Sequence, residues 1–248
     1  MIRRGISGFF APHRSIRTKK GGRFYMPLTI AIDGPVGAGK SSVSDEVARR
    51  LGILHLDTGA MYRAVGLYML ENGTDIQDEG AVSALCEKGR VQVDARYERG
   101  VQQTLLNGRD VSAFIRTQEV GGAASAVSRY PAVRKMLVRR QQEIARQQPM
   151  LLDGRDIGTV VLRDATVKVY LTASPEARAR RRMLQLREKG NETPFEEILR
   201  EVNARDYQDM HRKTDPLRQA EDAVKVDSSD LSFEETVNAI LSLVEAKR

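Results

Sequence analysis

The chain has 248 residues, of which 41% are hydrophobic and 29% are charged, an ordinary balance for a globular protein with one core and a small inserted lobe. It contains no Trp and only 5% aromatic residues, which argues against a reader of single-stranded nucleic acid, because such proteins need stacking platforms. The single cysteine, Cys86, excludes an intrachain disulfide, and no apolar run approaches the length of a membrane span, so we expect a cytoplasmic protein without a membrane partner.

The formal net charge of +7 is concentrated at the N-terminus. Residues 1–26 contain seven Lys or Arg and no acid; without these seven, the 40 basic residues of the chain fall to 33, equal to its 33 acidic residues. The folded body is therefore neutral by count, and we expect no nucleic-acid partner. Because this composition cannot bury a core, residues 1–26 are predicted to be a disordered basic extension. An organelle-targeting peptide and a start site placed upstream of a true start at Met26 are the alternatives.

Strands and helices alternate at the start of the remaining chain. The periodicity of apolar residues predicts, in chain order, a strand over 28–32, a helix over 41–51, a strand over 53–56 and helices over 58–72 and 78–89. Thr58 is the predicted N-cap of the helix that it begins. Between 90 and 111 the period changes to alternation, with turns at Glu98-Arg99-Gly100 and Asn107-Gly108, which predicts an antiparallel patch of two or three strands.

The second half of the chain again mixes helices with short apolar runs. The predicted elements are, in order, helices over 116–129 and 131–147, strands over 150–152 and 167–171, helices over 175–188 and 194–212, a strand over 223–226 and a helix over 233–246. This order predicts a parallel, doubly wound α/β sheet, which the antiparallel patch interrupts as an insertion.

A glycine-rich segment follows the first predicted strand and opens the first predicted helix. It matches the phosphate-binding pattern G-x-x-x-x-G-K-[ST] and reads Gly34-Pro35-Val36-Gly37-Ala38-Gly39-Lys40-Ser41. The glycines let successive backbone N–H groups surround a phosphate, and the helix adds the positive end of its dipole. Lys40 supplies a charge for the β- and γ-phosphates, and the Ser41 hydroxyl is suited to bind Mg²⁺. We expect an ATP site formed by this segment and Ser42.

Polar residues also follow the second and third predicted strands, at the sheet edge where ligands bind in such folds. After the second strand, Thr58 offers a hydroxyl and Arg63 a guanidinium to an acceptor phosphate, although an arginine on a helix can equally be solvated. After the third strand, Asp153 is suited to hold Mg²⁺ through water. Asp156 is suited to accept a hydrogen bond from the exocyclic amine of cytosine, although Asp and Gly are also common in turns.

Several protein classes share the phosphate loop. A GTPase would carry an Asn-Lys-x-Asp base reader and a transporter-type ATPase a Leu-Ser-Gly-Gly-Gln signature, and the chain has neither. A shikimate-type kinase is shorter and lacks the insertion. A nucleoside monophosphate kinase, which needs an acceptor site and an arginine-rich lid, fits best. The alternatives are a P-loop NTPase that hydrolyses ATP without an acceptor, and a nucleotide-binding regulatory module with its basic tail on RNA.

From residue 27 to the C-terminus the chain is similar to bacterial cytidylate kinases. Besides the phosphate loop and the segment Asp57-Thr58-Gly59-Ala60-Met61-Tyr62-Arg63, the resemblance rests on Ala123-Ala124-Ser125, Asp153-Gly154-Arg155-Asp156-Ile157-Gly158-Thr159-Val160-Val161 and Arg181-Arg182-Met183-Leu184-Gln185-Leu186. It implies transfer of the γ-phosphoryl group of ATP to CMP or dCMP, giving ADP and CDP or dCDP. It also implies Mg²⁺ as cofactor, small nucleotides as partners and a monomer.

The resemblance further implies a P-loop nucleoside monophosphate kinase fold, a five-stranded parallel sheet flanked by helices. A single kinase domain would span 27–248, with its core formed by 27–57 and 148–248. The monophosphate-binding insert, with the small antiparallel β patch, would cover about 58–147, and a helical lid about 176–192.

Individual roles also follow from the resemblance. The expected CMP contacts are Thr58, Arg63, Ser125, Arg134, Arg155, Asp156, Arg205, Asp209 and Arg212. Within this set, the phosphate is expected at Arg63, Arg155 and Arg205, the cytosine at Ser125, Arg134 and Asp156, and the ribose at Asp209. The expected catalytic residues are Lys40, Arg155, Arg178, Arg181 and Arg182, and Mg²⁺ is expected at Ser41 and Asp153, partly through water.

Overall fold

Eight strands form two sheets in the computed structural model, which describes residues 27–188 and 190–247. The strands are β1 (Thr29–Asp33), β2 (Leu54–Asp57), β3 (Val93–Glu98), β4 (Val101–Leu106), β5 (Arg109–Asp110), β6 (Met150–Gly154), β7 (Val167–Thr172) and β8 (Val224–Asp227). The larger sheet has the order β2-β6-β1-β7-β8, and all neighbours are parallel. The predicted α/β class and five-stranded parallel sheet are therefore confirmed. The basic extension predicted over 1–26 lies outside the described residues.

Eight α-helices accompany these strands. They are α1 (Lys40–Leu51), α2 (Thr58–Glu71), α3 (Glu79–Glu87), α4 (Gln118–Val127), α5 (Pro131–Ala145), α6 (Pro175–Arg187), α7 (Phe195–His211) and α8 (Phe233–Glu245). Each lies within a few residues of a helix that the sequence predicts. Among the described residues, no helix combines the length and the apolar character that crossing a bilayer requires.

Side chains of β1 alternate between two hydrophobic clusters, one on each face of the parallel sheet. Ile30 and Ile32 belong to the cluster that includes Val47 of α1 and Ile240 of α8. Ala31 belongs to the larger cluster, which includes residues of α2, α4 and α5. Because both faces are covered, the central strands β1 and β6 contain continuous apolar runs, over 30–32 and 150–152, which is why the sequence predicts them well.

The segment between β2 and β6 contains the smaller, antiparallel sheet in the order β3-β4-β5. β3 pairs with β4 from Val93 opposite Leu106 to Glu98 opposite Val101. Arg99 and Gly100 join the two strands with φ of 51° and 84°, the left-handed values that a tight two-residue hairpin turn requires. The predicted antiparallel patch is thus confirmed, with three strands.

Two local features differ from the sequence prediction. Asp57, not Thr58, is the N-cap of α2, because its carboxylate accepts the backbone N–H of Ala60 at 3.0 Å. The Thr58 hydroxyl instead donates to the carbonyl oxygen of Asp153 at 2.7 Å and so ties α2 to β6. A π-helical turn over Ile157–Val161, which the sequence does not predict, follows β6.

We expect Gly66→Ala to lower the free energy of unfolding by about 1–3 kcal/mol, because α2 and α4 meet without a gap at Gly66. A Cβ there would lie 2.8 Å from the backbone nitrogen of Ala124 and 3.1 Å from the Cβ of Ala123. Gly122→Ala is the matched control, since a Cβ on Gly122 meets no atom within 4 Å and a helix interior favours alanine. Urea unfolding of both variants checks this. Equal stability of the two would contradict the close helix contact.

Candidate active site

A cavity of about 480 Å³ lies at the carboxyl ends of β1, β2 and β6, beside the segment that carries the antiparallel sheet. Of the residues expected to bind ATP, CMP or Mg²⁺, those that line it are Val36, Gly37, Gly39, Lys40, Ser41, Ser42, Thr58, Arg63, Ser125, Arg134, Asp153, Arg155, Asp156, Arg205, Asp209 and Arg212. This volume is in the range of small-molecule sites. The fold thus brings the expected donor and acceptor residues to one cavity, although their roles stay predictions.

The glycine-rich loop between β1 and α1 forms one wall of this cavity. Gly37 and Gly39 have φ of 76° and 85°, which lets the loop curl before α1 begins. Gly34 lies against β7, where a Cβ would come within 1.9 Å of the carbonyl oxygen of Leu171. Only glycine fits at that position, so the loop is held close to the sheet.

Lys40 is buried at the start of α1, and its Nζ donates to the carbonyl oxygen of Pro35 at 2.8 Å. Burial lowers the pKa of Lys40 to about 7, and nearby Arg155 adds to the shift, while the carboxylate of Asp153 opposes it. A polyphosphate bound in the cavity would neutralise the positive charge of this buried ammonium. Lys40 is therefore suited to grip an anionic ligand.

Asp153 at the end of β6 has both carboxylate oxygens engaged. Oδ2 accepts from the Ser41 hydroxyl at 3.0 Å, and Oδ1 lies 2.8 Å from Nε2 of His55. The other ring nitrogen of His55, Nδ1, lies 2.6 Å from Oδ1 of Asp45. Burial alone would lower the pKa of His55, but the two carboxylates raise it to about 10. Burial alone would raise the pKa of Asp153, but the hydrogen bond and charge of His55 lower it.

The donor atoms of Ser41 and Asp153 fit Mg²⁺, which prefers oxygen ligands. The described part of the chain contains no group of three or more His, Cys, Asp or Glu that could hold a metal ion by itself. Mg²⁺ commonly binds through one or two protein ligands together with substrate phosphates and water. The pair of Ser41 and Asp153, beside the phosphate loop, suits a metal ion that arrives with a nucleotide.

Three arginines, Arg63, Arg155 and Arg205, concentrate positive charge in another part of the cavity wall. Arg155 donates from Nε to Oδ2 of Asp209 at 2.8 Å, and Arg63 donates from Nη1 to the carbonyl oxygen of Ile115 at 3.2 Å. Burial and the adjacent Arg155 lower the pKa of Arg205. Cations placed so close together repel one another, and a bound phosphate would relieve that repulsion. The wall is suited to bind the phosphate of an acceptor.

A buried ion-pair cluster completes the cavity. Asp156 accepts from Nη2 of Arg134 and lies 3.6 Å from Nη2 of Arg212. Arg134 is 2% exposed and also donates from Nε to Oδ2 of Asp215 at 2.8 Å. Asp156 is therefore fixed in orientation, with a carboxylate that can read hydrogen-bond donors on a ligand.

Several predicted residues do not line the cavity. They are Gly34, Pro35 and Ala38 of the loop, and Arg178, Arg181 and Arg182 of α6. Arg178 is buried, where it donates from Nη1 to the carbonyl oxygen of Val36 and to Asp206, both at 2.9 Å. Arg181 donates to the backbone carbonyl of Ser228. Arg178 thus supports the phosphate loop from behind, and catalytic roles for the three arginines stay predictions.

His55 and Asp45 are not among the site residues that the sequence predicts. One signal for His55 was available, because it is the only polar residue in the apolar run 53–56. Asp45 follows Ser41 by one helical turn, so both lie on one face of α1. What the sequence could not supply is the contact of His55 with Asp153, which comes from a strand 98 residues after His55.

Known proteins with similar sequences identify the family of this chain. The sequence profile of the family described as "Cytidylate kinase" matches residues 30–246. The cytidylate kinase of Caldicellulosiruptor saccharolyticus is 45% identical over 216 residues, covering 87% of this chain and 95% of that protein. Those of Thermosipho melanesiensis and Carboxydothermus hydrogenoformans are 46% and 47% identical, covering 90% and 89% of this chain and 99% and 98% of those proteins. This chain belongs to the cytidylate kinase family.

Proposed function

We propose that the chain transfers the γ-phosphoryl group of ATP to CMP or dCMP, giving ADP and CDP or dCDP. The observation that carries the proposal is the shared cavity, which Lys40 and the glycine-rich loop line together with the cluster of Arg63, Arg155 and Arg205. The loop suits the phosphates of a donor nucleotide, and the arginine cluster suits the phosphate of an acceptor.

Positioning and charge neutralisation account for most of the rate acceleration that enzymes give to phosphoryl transfer. A phosphate oxygen of CMP attacks the γ-phosphorus in line, the bond to the β–γ bridging oxygen breaks, and ADP leaves. Lys40 and the loop amides hold the donor phosphates, and bound Mg²⁺ neutralises part of their charge. Ser41 and Asp153 are the residues that would hold this ion. Arg155 is close to both Lys40 and Asp209, so its guanidinium can stabilise the negative charge of the phosphoryl group during its transfer between the nucleotides.

The acceptor base is read by the buried ion-pair cluster. The exocyclic amine of cytosine donates hydrogen bonds, whereas uracil has a carbonyl oxygen at the same position. The carboxylate of Asp156 accepts from the amine and repels the carbonyl. Arg134 holds Asp156 in place, and Asp209, fixed by Arg155, is available to the ribose hydroxyls.

We expect Asp156→Asn to lower the preference for CMP over UMP, measured as the ratio of kcat/KM values, by about 10-fold or more. The amide keeps the shape of the side chain but can donate to the uracil carbonyl. Asp215→Asn is the matched control, because it removes the other carboxylate that Arg134 contacts, from a residue that does not line the cavity. Asp215 has a φ of 47°, a conformation that asparagine tolerates. Equal effects of the two substitutions would remove Asp156 from base recognition.

The decisive experiment for the proposal measures ADP release with no acceptor and with CMP, dCMP, UMP, AMP or shikimate. We expect turnover that depends on CMP or dCMP and on Mg²⁺. Rapid ADP release without an acceptor would instead indicate a P-loop NTPase. ATP binding without turnover under any condition would indicate a regulatory module.

We also propose Mg²⁺ as the cofactor, the cytoplasm as the location and a monomer as the active form. The proposed donor and acceptor contacts all come from one chain, which supports activity as a monomer. Cys86, the one cysteine, is a free and buried thiol, in keeping with a reducing compartment.

A further inference from the structure

Four side chains in hydrogen-bond contact form a row from the phosphate loop to the surface of α1. It passes from Ser41 through Asp153 and His55 to Asp45, with contacts of 3.0, 2.8 and 2.6 Å. The side chains of His55 and Asp153 are 8% and 5% exposed, whereas that of Asp45 is 74% exposed. Three elements, α1, β2 and β6, are thus connected at one point beside the cavity.

The imidazole of His55 is held on both sides. Each ring nitrogen faces a carboxylate oxygen, which can only accept, so both nitrogens donate and the ring cannot turn without losing a contact. Because His55 binds Oδ1 of Asp153, the orientation of that carboxylate is set, with Oδ2 beside the Ser41 hydroxyl. Ser41 and Asp45 are one turn apart on α1, so the same helix supplies the hydroxyl and the anchor of the histidine.

His55 itself lies outside the substrate cavity. It lines a neighbouring cavity of about 180 Å³ together with Asp45 and Gln102. Its contacts therefore act on Asp153 and not directly on a nucleotide. Buried partners that orient a metal-binding carboxylate commonly change metal affinity by about 10–100-fold when they are removed.

We propose that His55, anchored by Asp45, is a positioning residue that fixes the Asp153 carboxylate for the Mg²⁺ that accompanies ATP. The inference rests on the proposed function, because it takes Ser41 and Asp153 as the residues that meet the ion. It adds two residues to the site, one buried in β2 and one exposed on α1.

Two substitutions of His55 separate positioning from a purely structural role. Glutamine places its amide nitrogen near the position of Nε2 and so keeps the hydrogen bond to Asp153. Asparagine places its amide nitrogen near Nδ1 and keeps only the contact with Asp45. The readout is the affinity for a non-hydrolysable ATP analogue, measured by calorimetry once with Mg²⁺ and once with EDTA. We expect His55→Asn to lower the ratio of the two affinities by about 10-fold, and His55→Gln to retain most of it.

Asp45→Ala removes the carboxylate that anchors His55. Because Asp45 is exposed, we expect this variant to fold. Asp222→Ala is its matched control, because Asp222 is 66% exposed and pairs with a buried cation, Lys168, at 2.9 Å, away from the cavity. We expect Asp45→Ala to lower the Mg²⁺-dependent ratio and Asp222→Ala to leave it unchanged. If the His55 variants do not fold, this pair of aspartates decides the question.

The inference is overturned if His55→Asn and His55→Gln give equal ratios, if Asp45→Ala behaves as Asp222→Ala does, or if Mg²⁺ does not strengthen analogue binding to the wild-type protein. None of these measurements contains CMP. Failure of the proposed function would appear separately, as an absence of CMP-dependent ADP release by the wild-type protein.

Discussion

Replacing Lys40 by alanine is expected to lower kcat by about 10³-fold, because it removes a preorganised charge from the place where the transferred phosphoryl group gains charge. Lys40 is 6% exposed, and its ammonium is close to Asp153 and Arg155. Because Lys40 is buried, water screens its interaction with phosphate oxygens less than it would at the protein surface. Steady-state measurement of CMP-dependent ADP release gives the change in kcat.

The same substitution is expected to leave the fold intact. Because burial lowers the pKa of Lys40 to about 7 from its ordinary value of 10.5, the unfolded chain binds this proton more tightly. Between these two pH values Lys40 therefore makes stability rise with pH, and Lys40→Ala should weaken that rise. Thermal unfolding of both proteins across pH 7–10 measures the difference.

Lys168→Ala is the matched control, since it removes another buried lysine, one that does not line the cavity. Its partner Asp222 is exposed, so no buried charge is left unpaired. We expect its kcat to stay near that of the wild-type protein. Turnover by Lys40→Ala within a few fold of this control would exclude the loop lysine from the mechanism.

Most of the fold could be predicted because its signals are local. The central strands β1 and β6 of the parallel sheet contain apolar runs, and the turns at Gly100 and Gly108 have glycines with positive φ. The π-helical turn over Ile157–Val161 has no such signal. It is fastened by the carboxylate of Asp33, which accepts the backbone N–H groups of Ile157 and Gly158 at 2.7 Å each. These contacts span 124 and 125 residues, so the sequence around the turn does not predict them.

The site also contains residues that local sequence signals predict and residues whose roles depend on distant contacts. The glycine-rich loop could be recognised from the sequence because one continuous segment contains every group that surrounds a phosphate. The position of Arg178 could not, because its buried contacts with Val36 and Asp206 depend on how α6 packs against the loop and α7. His55 was missed for a related reason, since a lone polar residue in a strand acquires a role only through partners that are distant in sequence.

Replacing Arg155 by alanine is expected to raise the KM for CMP by about 100-fold and to change the KM for ATP much less. The Arg155 guanidinium lines the cavity with Arg63 and Arg205, where it would make charge-assisted hydrogen bonds to the acceptor phosphate. Its truncation also leaves the half-buried carboxylate of Asp209 without its partner. That unpaired charge lies on the acceptor side and repels the same phosphate, so both consequences weaken CMP binding.

Two further variants separate acceptor binding from a general loss of structure. Arg155→Lys retains the charge but not the planar fork, so we expect it to recover only part of the CMP affinity. Arg140→Ala is the control, because Arg140 pairs with Asp94 at 2.7 Å in a more exposed place outside the cavity. The substrate dependence of ADP release, measured for CMP and ATP in turn, gives both KM values. If Arg155→Ala raised the two by the same factor, its guanidinium would act on the protein as a whole and the acceptor site would have to be placed elsewhere.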